Sequence, residues 1–428
     1  MLLMKMKARV LSAVLTGIMI ILSGCGKTIE KNPNIQNNFE SESNYSVNSS
    51  ENSESEIENS SVTDVKAEKD DSDNSSLAEE NKEKPSYKCT FLCAGDNLIH
   101  DNIYKEALKN GGGKTYDFTN AYKHIAKYIK GADVAVLNQE TVVTDEYEPS
   151  TYPVFCSPTA VGDKVVDMGF NVISMSNNHV LDKGADGLIS SLDYWDSKNV
   201  VHYGAYRDEA DSENIRTLEK NGIKFAFLGY MEHTNGIFLE GDKGKVVYLK
   251  EEDKIKEQIQ KADKMADVVV VSCHFGTEIS NELNAQQIEL APKLVEWGAD
   301  IIVGTQAHTI STCDYIEKPD GGKAFCYYGL GNFFSTMYDT KSLVGIIGKL
   351  TVEKNPDSGE ITIKNPKAIP IISHFEAYSY NSDWFNCTVY PYKNYTDELF
   401  AKNFVEGFTR QSVEQCLSYI PKKYLSIE

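Results

Sequence analysis

Residue types that bind metal ions follow one short apolar run after another along this chain. Runs of this kind predict buried strands, and in α/β sheets ligands bind at the carboxyl ends of the strands. We therefore expect these side chains to line one polar pocket. Carboxylate, amide and imidazole groups suit zinc, manganese or iron rather than a thiolate site. The endings in chain order are Gly95-Asp96, Asn138-Gln139-Glu140, Ser176-Asn177-Asn178-His179 with Asp182, His274 to Glu278, and Gly304 to His308 with Gln306 between them.

Each of these residues also has a structural explanation when it is taken alone. Asp96 after a glycine is typical of a helix N-cap, and Glu140 reads as a solvated loop acid. Asn178-His179 is compatible with turn chemistry, and a single histidine such as His274 or His308 is more often structural than a ligand. Five such endings in chain order are hard to explain by turns alone, so the group favours a metal or catalytic site.

The apolar pattern between these endings predicts alternating strands and helices, which indicates an α/β domain with largely buried strands. An antiparallel hairpin is expected near the end of the domain, around Asn355-Pro356-Asp357-Ser358-Gly359. The predicted strands are Lys88–Ala94, Val134–Leu137, Asn171–Met175, Lys224–Gly229, Val268–Cys273, Asp300–Val303, Phe325–Tyr328, Leu343–Glu353 and Ile361–Lys364, and the predicted helices include Thr119–Lys130, Ala160–Met168, Gly184–Ser197, Glu251–Met265, Asn284–Trp297 and Asp397–Ser418.

The N-terminus has the features of an export signal. Lys5, Lys7 and Arg9 precede an apolar run, Val10 to Leu22, that is too short to span a bilayer. Leu22-Ser23-Gly24-Cys25 resembles a bacterial lipobox, which implies cleavage before Cys25 and acylation of its thiol. Residues 1–25 are therefore interpreted as a lipoprotein signal peptide, and the lipid would anchor the protein to the outer face of the cell membrane.

Composition divides the rest of the chain into three parts. Residues 26–86 are rich in Ser, Asn and Glu, and such a segment is expected to be a disordered linker. Residues 87–378 carry the α/β pattern and all the polar strand endings, and residues 379–428 are expected to be a C-terminal extension that packs on this domain.

The net charge of −20 argues against a nucleic-acid-binding protein, which needs a basic footprint. An anionic substrate would need local cations, supplied by Lys, Arg or a metal. The eight cysteines after Cys25 form no CxxC pair, so a thiolate zinc site is not expected.

The polar endings together resemble the motif series of the CapA family, which is associated with poly-γ-glutamate capsule synthesis. The resemblance runs from about Lys88 to about Ile372. CapA proteins look like variants of the calcineurin-type metallophosphoesterases, which implies a sandwich of two mixed sheets flanked by helices. The matching motifs are Gly95-Asp96, Asn138-x-Glu140, Ser176-Asn177-Asn178-His179-x-x-Asp182-x-Gly184, His274-x-Gly276-x-Glu278, Gly304-x-x-x-His308 and Tyr328-Gly329-Leu330-Gly331-Asn332-Phe333.

The resemblance also implies roles for individual residues. His179 becomes a candidate acid or transition-state stabiliser, and Glu278 a candidate to orient His274 or polarise a water. Asn332 is expected to line the same pocket, with Asn138, Asn177, Asp182 and Gln306. The implied metal ligands are Asp96, Glu140, Asn178, His274 and His308.

Two departures from the phosphoesterase pattern affect the metal count. Leu98 stands where those enzymes usually carry a histidine, and His100 follows two residues later. Gln306 replaces another histidine, two residues before His308. These departures argue against a complete two-metal site and leave three alternatives open: one metal, a weakly occupied site or a site without metal. Where metal binds, we expect one or two divalent ions, of manganese, zinc or iron.

Two hypotheses follow for the function. In the first, the protein is a membrane-anchored, extracytoplasmic, metal-dependent hydrolase or transferase that acts on a phosphoester or γ-glutamyl amide of an anionic polymer. In the second, it is a non-catalytic polymer-binding or assembly subunit of a membrane complex that makes or exports poly-γ-glutamate. Membrane-bound synthesis proteins are the expected partners in both.

Overall fold

A computed structural model describes residues 87–427 of the chain. The signal peptide, the lipobox with Cys25 and the linker expected over residues 1–86 lie outside the described residues.

Residues 87–427 form sixteen strands and ten α-helices, and a short 3₁₀ helix lies at Tyr392–Asn394. No helix in this part of the chain has the length and apolar character needed to cross a membrane. The strands are β1 (Tyr87–Asn97), β2 (Val134–Asn138), β3 (Val172–Ser174), β4 (Val201–Tyr203), β5 (Ala205–Tyr206), β6 (Arg216–Lys220), β7 (Ile223–Met231), β8 (Lys245–Val246), β9 (Val268–Phe275), β10 (Ile301–Gln306), β11 (Cys313–Glu317), β12 (Lys323–Tyr327), β13 (Asn332–Phe334), β14 (Val344–Lys354), β15 (Ile361–Ala377) and β16 (Trp384–Pro391). The α-helices are α1 (Asp101–Asn110), α2 (Thr119–Tyr122), α3 (Ala126–Ile129), α4 (Thr159–Met168), α5 (Gly184–Asp196), α6 (Glu209–Ser212), α7 (Glu252–Asp263), α8 (Ala285–Trp297), α9 (Asp397–Lys402) and α10 (Arg410–Leu417).

Most strands belong to two mixed sheets. The first has the order β16-β15-β14-β1-β2-β3-β4, and β13 also pairs with β1. The second has the order β11-β12-β10-β9-β7-β6. Strands β1 to β4 are mutually parallel, as are β7, β9, β10 and β12, whereas the outer strands run antiparallel. The parallel strands carry continuous apolar runs because both of their faces are covered.

The two sheets pack face to face, and alternate residues of β9 show how. Val268 and Val270 belong to the core shared with the first sheet, whereas Val269 and Val271 pack with residues of α7 and α8 on the other face. Across the interface between the sheets, the rings of Phe91 and Phe225 stack at 6.5 Å. This layout confirms the predicted α/β fold class, a sandwich of two mixed sheets flanked by helices.

Two helices predicted as continuous are each divided in two. In Thr119–Lys130, the amide of Ile125 donates to Tyr122 O, three residues back, and this tighter turn separates α2 from α3. In Asp397–Ser418, the amide of Phe404 donates instead to Phe375 O in β15, which ends α9. Helix α10 then starts afresh with a capping box at Thr409. The first helix is interrupted by a local turn, and the second is ended by a tertiary hydrogen bond.

The strand predicted as Ile361–Lys364 is the beginning of a much longer one. β15 continues to Ala377 and includes Pro366 and Pro370. Strand β16, within the C-terminal segment, pairs with its second half, and Leu425 bridges to Ala368. Residues from the C-terminal segment therefore extend the first sheet.

The eight cysteines in the described part of the chain are all buried and free. Cys93 and Cys326, for example, lie within β1 and β12 as part of the apolar core. A buried thiol of this kind behaves as a small apolar side chain.

Candidate metal centre

The carboxyl ends of the parallel strands of both sheets meet at one place. His274, at the end of β9 in the second sheet, has its Nε2 atom 3.0 Å from Oδ1 of Asn178, which follows β3 in the first sheet. At the end of β10, the amide of Gln306 donates to Asp96 Oδ2 at the end of β1, over 3.3 Å. Residues far apart in sequence thus converge on a single buried cluster.

Glycines allow this close approach. A Cβ atom on Gly95 would lie 1.9 Å from the carbonyl oxygen of Gly331, and one on Gly304 would lie 2.1 Å from that of Tyr328. Any larger residue at either position would push the end of β1 or β10 out of place. Gly95 therefore fixes where the next residue, Asp96, enters the cluster.

Asp96, Glu140 and His308 form the centre of the cluster. Each offers one ligand atom, and these atoms all lie within 4.8 Å of one another. His308 Nδ1 is 3.3 Å from Asp96 Oδ2 and 3.8 Å from Glu140 Oε2. All three side chains are buried.

Burial and neighbouring charge both raise the pKa of Glu140, whereas they act in opposite directions on His308 and Asp96. Burial and the charge of Asp96 raise the pKa of Glu140 to about 8. Burial alone would lower the pKa of His308, but the charges of Glu140 and Asp96 outweigh it and raise the pKa to about 10. Burial likewise opposes ionisation of Asp96, yet the hydrogen bond and charge of His308 hold its pKa below the ordinary value. Near pH 7 the Asp96 carboxylate and the His308 imidazolium therefore balance each other, and Glu140 keeps its proton until a cation replaces it.

A second set of donor atoms lies on the other side of Glu140. His274 Nε2 is 3.5 Å from Glu140 Oε1 and 3.0 Å from Asn178 Oδ1. The other ring nitrogen of His274, Nδ1, lies 2.8 Å from Thr305 Oγ1. When Nδ1 donates to Thr305, Nε2 presents its lone pair beside the two oxygens. Burial lowers the pKa of His274 to about 4, so the ring is neutral near pH 7 and able to coordinate a cation.

The state of Glu140 shows that the donor set suits a divalent cation. Both of its carboxylate oxygens are inaccessible to solvent, and neither accepts a hydrogen bond within the described part of the chain. Buried acceptors without partners are rare and costly in native proteins. A cation between Glu140 and its neighbours would replace the proton of Glu140 and satisfy both oxygens.

His179 lies beside this centre and is held by Asp182. Its Nδ1 atom is 2.7 Å from Asp182 Oδ2, which also accepts from the amide of Phe155. The ring of Phe155 packs edge-on against that of His179 at 4.7 Å. The hydrogen bond from Nδ1 to Asp182 fixes the tautomer and leaves Nε2 without a hydrogen-bonding partner among the described residues.

The four remaining residues predicted to line the pocket also contact the cluster. Asn138 Nδ2 donates to Asp96 Oδ1 at 2.7 Å, and Asn177 Nδ2 lies 3.4 Å from Asn138 Oδ1. Asn332 Oδ1 is 3.0 Å from His308 Nδ1. Gln306 is buried, and its Oε1 atom has no hydrogen bond within residues 87–427.

Backbone strain is concentrated where β10 enters the site. Gln306 has φ +93° and His308 has φ +55°, a left-handed region that non-glycine residues seldom occupy. Backbone strain of this kind persists only where many surrounding contacts hold the conformation in place. Such strained residues are often found at functional sites. Here it turns the amide of Gln306 toward Asp96 and brings the ring of His308 into the cluster.

Glu278 and His100 lie outside the centre. Glu278, which was expected to orient His274, is exposed in a turn after β9. The two ring nitrogens of His274 lie instead beside Thr305 and Asn178. His100 Nδ1 lies 3.1 Å from Leu98 O, so its contacts differ from those of the three central groups.

Sequence reasoning missed Thr305, His233 and Asn235. Asn235 contacts Asn178 and His179, and His233 Nε2 lies 3.4 Å from Gln306 Nε2. A signal for the last two was present, because Glu232-His233-Thr234-Asn235 directly follows β7, another parallel strand. Thr305 gave no such signal, since a threonine inside a strand is unremarkable.

A family model described as "Bacterial capsule synthesis protein PGA_cap" matches residues 90–337. This range includes every residue of the centre, from Asp96 to Asn332. The chain belongs to this family of capsule synthesis proteins, as its resemblance to the CapA family predicted.

Two curated relatives are named CapA. The "Capsule biosynthesis protein CapA" of Bacillus anthracis is 29% identical over 269 residues, which cover 59% of this chain and 61% of the relative. The "PGA biosynthesis protein CapA" of Bacillus subtilis (strain 168) is 27% identical over 265 residues, which cover 61% of this chain and 67% of the relative. The chain thus spans 61% of the length of the first relative and 67% of the length of the second.

Solved structures show a weaker similarity. A crystal structure of a novel phosphatase from Mycoplasma pneumoniae has a TM-score of 0.41 at 15% identity, covering 67% of this chain and 94% of that one. The crystal structure of a 5'-nucleotidase precursor from Thermus thermophilus has a TM-score of 0.39 at 13% identity, covering 66% and 54% respectively.

Proposed function

We propose that this capsule synthesis protein is a metal-dependent hydrolase that acts on an anionic polymer outside the cell membrane. The observation that carries the proposal is Glu140, a buried carboxylate that lacks a hydrogen-bond donor and lies beside Asp96 and His308. A group arranged in this way is destabilising on its own and becomes favourable when a cation binds.

The proposed ligands surround Glu140. Asp96 and His308 would hold a cation on one side, and Asn178 and His274 would provide a second position on the other. Manganese, zinc and iron all suit these ligand types. A divalent ion bound there would polarise a phosphoryl or acyl oxygen and activate water at neutral pH.

His179 would supply the proton in this proposal. Because Asp182 holds Nδ1 at 2.7 Å, the opposite nitrogen, Nε2, is the atom that can donate to a leaving group. Asp182 would also stabilise the positive charge of the protonated ring. Phe155 restricts the ring's rotation by packing against it.

The substrate we propose is a polymer with many carboxylates, such as poly-γ-glutamate, cleaved at a γ-glutamyl amide. The Bacillus subtilis relative is described as a PGA biosynthesis protein, which supports this choice. The chain itself carries a net charge of −20, so a bound cation would have to offset the repulsion of an anionic substrate. A phosphoester is the other bond that such a site could cleave.

We also propose that a lipid on Cys25 holds the protein at the membrane, next to membrane-bound polymer synthesis proteins. The Cys25→Ser variant should move from the membrane fraction to the medium or soluble fraction when the cells are fractionated. A variant that stays with the membrane would contradict the anchor and leave the proposed hydrolase unaffected.

The catalytic proposal is tested on the purified chain with added manganese or zinc. The substrates would be poly-γ-glutamate, a chromogenic γ-glutamyl anilide and a chromogenic phosphodiester. We expect metal-dependent turnover that is lost in Asp96→Ala and His308→Ala. The matched control is His202→Gln, which alters another histidine–aspartate pair outside the centre, in which the buried His202 lies 2.7 Å from the exposed Asp196.

The result also separates the two functional hypotheses. Metal binding without turnover of any of the three substrates, together with co-purification with membrane synthesis proteins, would overturn the hydrolase and favour a binding subunit. In a hydrolase, His179→Gln should retain the metal while its kcat falls by about 10²–10⁴-fold, the usual contribution of a positioned acid.

A further inference from the structure

The segment that follows β7 forms one wall of the metal centre. We call Glu232–Ile237 the β7 loop; it begins directly after Met231, the last residue of the strand. β7 is parallel to β9, so the loop leaves the sheet at the same edge as His274. None of the motifs given above for the resemblance to the CapA family includes a residue of this loop, although the family model spans it.

Asn235 is the residue of the β7 loop that reaches furthest into the centre. Its Oδ1 atom accepts a hydrogen bond from Asn178 Nδ2 at 3.3 Å, and its Nδ2 atom lies 3.3 Å from His179 Nδ1. A single side chain therefore contacts both a proposed metal ligand and the proposed acid.

The backbone of the β7 loop is arranged to present this side chain. Asn235 has φ +52°, a left-handed conformation that asparagine tolerates better than most residues do. Its amide lies 3.4 Å from His233 Nδ1, and His233 Nε2 is 3.4 Å from Gln306 Nε2. The loop thus contacts β10 through His233 and the turn after β3 through Asn235.

We propose that Asn235 is a positioning residue, which holds the amide of Asn178 by a hydrogen bond in the orientation the reaction needs and packs beside Nδ1 of His179, whose proton Asp182 accepts. This inference rests on the proposed metal-dependent function. Asn178 and His179 are neighbours in one turn, and Asn235 adds a second neighbour to each, beside His274 for Asn178 and Asp182 for His179. A partner that restrains both at once reduces the entropy lost when the metal and substrate bind.

The exposure of Asn235 argues against a role in stability alone. Asn235 is exposed to solvent. A hydrogen bond at the surface contributes little to the stability of the fold, because water replaces it readily. Glycine would fit the left-handed backbone at least as well as asparagine. The feature that glycine lacks is the side chain that contacts Asn178 and His179.

The test is the Asn235→Gly variant of the full chain, because glycine keeps the left-handed backbone and removes only the side chain. Asn221→Gly is the matched control. Asn221 also has a positive φ, +50°, and its Nδ2 atom donates to Lys88 O and Asp133 Oδ1, both outside the centre.

Two readouts are measured on each variant. The first is the affinity for manganese, which should fall by about 10-fold or more in Asn235→Gly, as for other residues that support metal ligands. The second is the pair of ring ¹⁵N shifts of His179 in the metal-free protein, which should change because one neighbour of Nδ1 is gone. Asn221→Gly should leave both at their wild-type values.

Wild-type manganese affinity and wild-type His179 shifts in Asn235→Gly would overturn the proposal, as would equal changes in Asn221→Gly. If the wild-type protein binds no manganese, the proposed function fails. The His179 shifts then decide by themselves whether Asn235 orients this ring.

Discussion

Two buried clusters of this protein contain a histidine and a carboxylate, and they differ in how far their polar atoms are paired. In the cluster near β15, His374 Nδ1 lies 2.6 Å from the hydroxyl of Tyr395, and Nε2 lies 3.4 Å from Glu376 Oε1. Asn403 Nδ2 donates to the same hydroxyl at 3.0 Å. In the metal centre, by contrast, neither oxygen of Glu140 has a donor within the described residues.

This difference separates a structural cluster from one that is built for a ligand. A fully paired polar network in the interior makes the fold rigid, whereas an unpaired buried carboxylate lowers its stability. The His374 cluster therefore needs nothing further. The centre around Glu140 retains an unfavourable interaction that binding of a cation would relieve.

The largest effect is expected from the same substitution made in each cluster. Glu140→Gln removes the carboxyl group that would lose its proton and bind the ion, so its affinity for manganese should fall by more than about 100-fold, beyond the loss typical of supporting residues. Glu376→Gln, the matched control, should keep the wild-type affinity. Titration of the purified proteins with manganese measures both, and equal affinities would remove the distinction between the clusters.

The second prediction concerns stability when the metal is added. A ligand that binds only the folded protein stabilises it by about 2.7 kcal/mol at a concentration 100 times its Kd. We expect manganese to raise the Tm of the wild-type protein, and a chelator to reverse the change. Calorimetry of Glu140→Gln at the same manganese concentration should show no increase. An increase equal to that of wild type would mean that the ion binds elsewhere.

The third prediction disturbs the paired cluster. Tyr395→Phe removes the hydroxyl that contacts both His374 and Asn403, and leaves Nδ1 of the buried His374 and Nδ2 of the half-buried Asn403 without this partner. The free energy of unfolding should fall by roughly 1–3 kcal/mol. Denaturant unfolding gives this value, and manganese affinity should not change. A loss of affinity would show that the two clusters are coupled.

The strand endings could be predicted from sequence because one simple rule places them. Parallel strands end at one edge of a sheet. The polar residues at these ends, such as Asp96, Asn138 and His274, are therefore expected to meet. Short apolar runs and their order along the chain are enough to predict where these strands end. The same rule predicts that Asn235, which follows β7, lies near this edge.

Other features depend on contacts that a sequence pattern does not contain. The pairing of His374 with Tyr395 needs β15 to extend through two prolines and the C-terminal segment to fold back beside it. The partner of His274 is Thr305, from the neighbouring strand, rather than Glu278, which is closer in sequence. The lack of a donor for Glu140 likewise appears only once all neighbouring atoms are placed.

The smallest expected effect is the response of the paired cluster to acid. Burial lowers the pKa of His374, although Glu376 acts in the opposite direction. The folded protein therefore binds fewer protons at this position than the unfolded chain does below its pKa of about 6.5. Because stability rises with pH wherever the unfolded state binds more protons, the contribution of His374 is fully present above about pH 6.5 and is lost as the pH falls below it.

His374→Gln removes this titrating group, so its free energy of unfolding should decline less steeply than that of wild type between about pH 6.5 and 4.5. Urea unfolding of the metal-free proteins across this range measures the two slopes. Other buried histidines, such as His202, also have a lowered pKa, so part of the wild-type slope should remain. An identical slope in both proteins would mean that His374 keeps its unfolded-state pKa, and that its cluster is less closed to water than its hydrogen bonds indicate.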